Sequence, residues 1–148
     1  MNSIRHAARA TLPILATLWA GTIIGVSFVA TPAKFQAASL SLRAGVEVGR
    51  YTFQWFSALE LVFSSVVVVA AILARTKARI AIMLAVAVIE LLLQRYWLLP
   101  ELDRRVSEIL AGAPVVFSPL HWMYAALDAS KAALLITASA MEYRSPRN

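Results

Sequence analysis

The sequence predicts an all-α membrane protein: a four-transmembrane-helix antiparallel bundle with a short interfacial helix between helices three and four. Three observations carry that expectation. Hydrophobic residues make up 60% of the 148 residues and charged ones only 15%, against about a quarter charged in soluble domains. Four apolar runs are each long enough to cross a bilayer, which takes about 20 residues. All six prolines lie at run ends or between runs. The mean hydropathy of +0.71 leaves a soluble fold of this size nowhere to put its apolar surface. Lipid removes the difficulty, because each helix satisfies its own backbone hydrogen bonds. The expected organisation is one domain over residues 1–148.

The first run covers residues 11–31, with Thr11 as a candidate N-cap and Pro13 in the first turn. A secretory signal peptide is the competing reading of its basic start and small residues near Ala30, but the run exceeds a usual signal core. Gly21 and Gly25 form a GxxxG, a spacing that lets helix backbones approach closely. Pro32 is expected to end the helix. The second run, residues 47–73, has a wet start with Tyr51 and Trp55 among charges, the signature of the headgroup level. A short basic turn, Arg75 to Arg79, makes it a hairpin with the third run, residues 80–99. After Pro100, Leu102, Val106, Ile109 and Leu110 recur at helical spacing opposite Asp103, Arg104, Arg105 and Glu108, so residues 101–111 read as an amphipathic helix lying in the interface. Ser118-Pro119 opens the fourth run, residues 120–143.

Orientation follows from basic residues near the runs. Arg5, Arg9, Arg75, Lys77, Arg79, Arg144 and Arg147 fall on one side, and Lys34, Arg43, Arg50, Arg104 and Arg105 on the other. Seven against five places both termini on the cytoplasmic side of the membrane. Because the basic residues sit in short clusters beside apolar runs, the net charge of +6 points to lipid headgroups rather than nucleic acid. The absence of cysteine removes thiol redox chemistry and thiolate metal sites.

The runs carry polar residues that lipid would not tolerate. A carboxylate at the centre of a span costs about 2.5–3.5 kcal/mol on insertion scales, so it should be paired or protonated. Glu90 and Gln94 share a face of the third run. Arg50, Gln54 and Glu60 share a face of the second, and His121, Tyr124, Asp128 and Lys131 fall within about an 80° arc of the fourth at about 100° per residue. The expected seam is Glu60, Glu90, Gln94, His121, Asp128 and Lys131, with Arg50, Gln54 and Tyr124 as secondary lining. It would form a polar funnel closing on Glu90 and Lys131 as the central pair, with Glu60 the surplus acid and His121 and Asp128 at the mouth. Two acids and one base do not balance, so a proton or a further cation is implied. Arg95 lies off that face near the run's end and is expected to snorkel to headgroups.

Cofactor readings mostly fail. His6 and His121 belong at opposite ends, so one chain does not bracket a haem, and only a single-histidine haem through His121 stays open. The methionines are too scattered for copper handling, and no nucleotide-binding glycine loop, nucleophile elbow or zinc-ligand helix occurs. No cofactor and no metal are expected, and an enzyme is the least favoured class.

WAGTIIGVSFVATPAKF in the first run, VGRYTF…E in the second, LLLQRYWLLPELDRR from the third and H..Y...D..K in the fourth together resemble a bacterial branch of the transmembrane-protein-205-like group, a domain of unknown function. The resemblance implies a four-helix inner-membrane protein and carries no established activity. The sequence is also similar to the haem-binding four-helix oxidase family, but the paired histidines of that group are missing. Two functions fit the pattern. In one, the seam binds or moves a proton, cation or small polar solute. In the other, the chain is an accessory or assembly subunit, as a homodimer or in a larger membrane complex, and the seam only holds the helices in register.

Overall fold

The computed structural model describes residues 2–114 and 118–145 and contains four helices among them. Helix α1 runs over Asn2–Lys34, α2 over Leu42–Ala74 and α3 over Ala78–Leu110. Helix α4 spans Pro119–Tyr143. By length and composition, α1, α2 and α3 are long and apolar enough to cross a membrane. At about 1.5 Å per residue these 33-residue helices are about 50 Å long. Each helix packs on its sequence neighbours, and α4 closes the ring against α1, giving an up-and-down bundle.

Local chemistry sets the ends. The Ser41 hydroxyl accepts from Ala44 N–H and caps α2, and the Ser118 hydroxyl accepts from Leu120 N–H at the start of α4. Arg75 takes a left-handed conformation (φ 50°) that stops α2 and lets the chain reverse within Arg75–Lys77.

Several boundaries differ from the sequence reading. Helix α1 begins at Asn2, so Thr11 is no N-cap and Pro13 lies inside the helix rather than in its first turn; the Thr11 hydroxyl donates back to the Ala7 carbonyl one turn earlier. Neither Pro32 nor Pro100 ends a helix. A proline ring clashes with the carbonyl four residues back. Each helix avoids this by opening into a wide π turn just before the proline. Ile24–Ala30 is such a turn, and Thr31 N–H donates to Val26 five residues back. Gln94–Leu98 is the second, and Leu99 N–H donates to Gln94. The amphipathic stretch 101–111 is therefore the rigid continuation of α3 as far as Leu110, not a separate helix. It folds against the start of α2, where Arg50 donates to the Asp103 carbonyl and Ser107 hydroxyl, and Gln54 donates to the Asp103 carboxylate at 2.8 Å. Arg147, one of the orientation residues, lies outside the described residues.

The distribution of side chains is inverted relative to a water-soluble protein. Ile72, Ile82 and Ile89 are more than 60% exposed, while Glu60, Gln94, Asp128 and Lys131 are fully buried. The exposed aromatics Tyr51, Trp55, Tyr96, Trp97 and Trp122 gather toward the end of the bundle away from the termini, and Tyr143 marks the other end. The core between α1, α2 and α4 is built on Leu12, Ala16, Trp19, Ala20 and Ile23. The GxxxG of α1 plays no part in it: among the described residues, its own helix's backbone aside, nothing lies within 4 Å of a Cβ added at Gly21 or Gly25. The close approach is made instead by Gly45 and Gly49 of α2, where an added Cβ would lie 2.6 Å from the Phe35 ring and 2.7 Å from the Lys34 ammonium.

Candidate functional site

Three charged side chains meet in the interior. Lys131 Nζ of α4 donates to Glu60 Oε1 of α2 at 2.6 Å and lies 3.0 Å from Asp128 Oδ1, one turn earlier on its own helix. All three are fully buried. Helix α4 supplies two of them because Asp128 and Lys131 are three residues apart and share a face with Tyr124 and Leu135.

The triad is enclosed by neutral donors. Trp19 of α1 donates its indole N–H to Glu60 Oε1 at 3.0 Å. Gln94 donates to Asp128 Oδ1 at 2.9 Å and to the Tyr124 carbonyl at 3.0 Å. The Ser27 hydroxyl donates to Asp128 Oδ2. Ser27 and Gln94 lie in the two π turns, so both wide turns aim a side chain at the same carboxylate. Such turns recur at functional sites because they re-aim side chains out of the regular helical face. The second oxygen of Glu60, Oε2, is buried with no hydrogen-bond partner among the described residues.

The arrangement corrects the expected pairing. Glu90 is not joined to Lys131. It is only partly buried and accepts from Ser130 at 2.7 Å, one step around α4 from the lysine. Glu60 takes the central place, and Asp128 is in the triad rather than at the mouth. His121 is exposed and stands apart from the triad. Arg50 and Gln54 bind the outer part of α3. Arg95 does not snorkel outward: its guanidinium donates to Ser57, which is fully buried in the bundle. The sequence reading missed Trp19 and Ser27. Trp19 carries a signal, an indole N–H at the depth of a buried acid, since a buried indole usually finds a partner. Ser27 is one hydroxyl in an apolar run and carries none.

Beyond the triad, toward the end away from the termini, lies a chamber of about 350 Å³. Tyr124 lines it, and the Tyr124 ring stands edge-on to Phe53 with centroids 5.0 Å apart. Gln94, which holds both Asp128 and the Tyr124 carbonyl, links chamber and triad. The Tyr124 hydroxyl is buried without a hydrogen-bond partner among the described residues. Among the described residues no group of three or more His, Cys, Asp or Glu is placed to hold a metal ion. No protein-family model, no curated protein and no solved structure matches this chain. The fold and the site define an all-helical protein with apolar outer faces and a closed, charged interior.

Proposed function

We propose that this chain is a four-span inner-membrane protein, with both termini cytoplasmic, whose Glu60–Lys131–Asp128 triad takes up and releases a proton. The observation that carries the proposal is the buried imbalance of charge: two carboxylates share one ammonium, with no water-exposed face on any of the three. With both acids ionised the site would hold a net negative charge in a low-dielectric interior, a state that proteins avoid by binding a proton or counter-ion. The ammonium already occupies the position between the two acids that a metal cation would take. A proton is the remaining partner, and the free Oε2 of Glu60 is the atom that receives it.

The fourth span rests on the same geometry. Helix α4 falls short of the apolarity of the other three. Its buried residues include Asp128, Lys131 and Glu142, while Trp122, Met123 and Ile136 face outward. Intramembrane charges facing the bundle interior follow this pattern. A second reading, an accessory subunit or homodimer, is favoured by one observation. The Gly21/Gly25 strip faces outward and meets no other helix among the described residues.

The test is proton uptake in proteoliposomes under an imposed pH gradient, read by an entrapped pH-sensitive dye. Wild type is compared with Glu60→Gln and Lys131→Met, with folding verified by circular dichroism. The expected result is uptake by wild type and its loss in folded Glu60→Gln. No uptake by wild type, with folded variants that differ only in stability, refutes the proton reading and leaves the triad a structural element.

A further inference from the structure

The chamber has a chemistry of its own, separate from that of the triad. Its walls are apolar, with Phe53, Leu99, Val106 and Trp122 among them, and its charged groups are mostly cationic. Arg50 and Asp103 are occupied with each other's helix. Lys34 and Arg105 are not: among the described residues neither has a carboxylate within 4 Å. Both are only partly buried, and His121 also lines the chamber. Gly49 makes room for the lysine, because an added Cβ would lie 2.7 Å from its Nζ. The backbone of α2 thus forms a cradle under a cation that has no anion to meet. A cavity of about 350 Å³ is at the small end of the range for ligand pockets, about 300–1,000 Å³.

Unpaired cations at the mouth of an apolar recess select a ligand with an anionic head and a hydrocarbon chain. We propose that this chamber binds an anionic amphiphile. A phosphate or carboxylate head sits between Lys34 and Arg105, and the first part of one acyl chain lies along Phe53, Leu99 and Trp122. Arginine supplies a planar fork for the two oxygens and lysine a point charge. An anionic membrane phospholipid and a free fatty acid share this chemistry. The proposal uses the membrane setting of the bundle but not the titration of the triad, so each fails independently of the other.

The full chain in non-ionic detergent carries the test, in a Trp55→Phe, Trp97→Phe background that leaves Trp122 as the exposed indole. Tryptophan quenching is followed as phosphatidylglycerol, oleate or phosphatidylcholine, each with brominated chains, is titrated in. Saturable quenching by phosphatidylglycerol alone supports a membrane lipid as ligand, and by oleate alone a free fatty acid; quenching by both supports the shared chemistry. Lys34→Gln and Arg105→Gln should each weaken binding by roughly tenfold, the loss of one charge-assisted hydrogen bond. Gly49→Ala provides a variant that keeps every charge. The added methyl displaces only the flexible end of Lys34, so the bundle folds and the affinity falls as for Lys34→Gln. Equal quenching by phosphatidylcholine, no saturable quenching by any of the three, or folded variants with unchanged affinity overturns the proposal.

Discussion

Removing the ammonium of Lys131 should cost more than neutralising the carboxylate it binds. Lys131→Met keeps a long unbranched chain in a site with no exposed surface, so packing changes little. What it removes is the cation 2.6 Å from Glu60 and 3.0 Å from Asp128. Two carboxylates are then left facing each other in a dry interior, where breaking a buried ion pair from one side costs about 3–5 kcal/mol. Glu60→Gln leaves one acid against one base. The glutamine oxygen still accepts from Lys131 and Trp19, and the new amide takes the place of an oxygen that has no partner. The cost is that of a buried amide nitrogen whose N–H groups find no partner, about 1–3 kcal/mol. The double variant Glu60→Gln, Lys131→Met should recover part of the loss, since it leaves a single buried acid that is held by Ser27 and Gln94. Thermal unfolding in one detergent at fixed pH measures all three. If Lys131→Met is as stable as wild type, or less costly than Glu60→Gln, the triad is not a site of unbalanced buried charge and the reasoning fails.

Other consequences follow from the same contacts. Ser27→Ala and Gln94→Leu each strip one hydrogen bond from Asp128 and should destabilise by about 1.5–3 kcal/mol. Because they share one acceptor, their effects in a double-mutant cycle should depart from additivity by at least about 0.5 kcal/mol. Trp19→Phe preserves most of the buried ring but deletes the donor to Glu60, and should cost about 1–3 kcal/mol by chemical unfolding. Glu90→Gln should stay within about 1 kcal/mol of wild type and leave proton uptake unchanged, because Ser130 binds either side chain and Lys131 does not reach it.

The helices and the existence of a polar interior were legible from the sequence because both are local properties: long apolar runs set the first, and charges inside them the second. Which charges meet was not legible. Lys131 reaches Glu60 rather than Glu90 because of how α4 is rotated between α3 and α1, and helical periodicity fixes only the face of each helix, not its azimuth in the bundle. The two prolines misled for a related reason. A proline in a sequence signals a break, and tertiary packing here converts each break into a wide turn that keeps the helix continuous. Beyond such a turn the count of about 100° per residue no longer holds, so a face extrapolated through Pro100 or Pro32 points the wrong way. The glycines inverted expectation too: Gly21 and Gly25 had the packing spacing, yet Gly45 and Gly49 are the ones pressed against neighbours.

The ring of outward aromatics near one end, and Tyr143 near the other, has a consequence for depth. At about 1.5 Å per residue, Trp55 to Ala74, Ala78 to Tyr96 and Trp122 to Tyr143 measure about 28, 27 and 32 Å. These match a hydrocarbon slab of about 30 Å, and indole and phenol rings settle at its edges. On the proposed membrane reading, the chain therefore draws its own waterline through Trp55, Tyr96 and Trp122. Lys34 and Arg105 stand above that line, among phosphates and ions. Glu60, five residues inside Trp55, and Lys131, nine inside Trp122, lie about 8–14 Å below it. Two shores of one helical bundle then work in different solvents, with the Tyr124–Gln94 contact as the narrow strait between them.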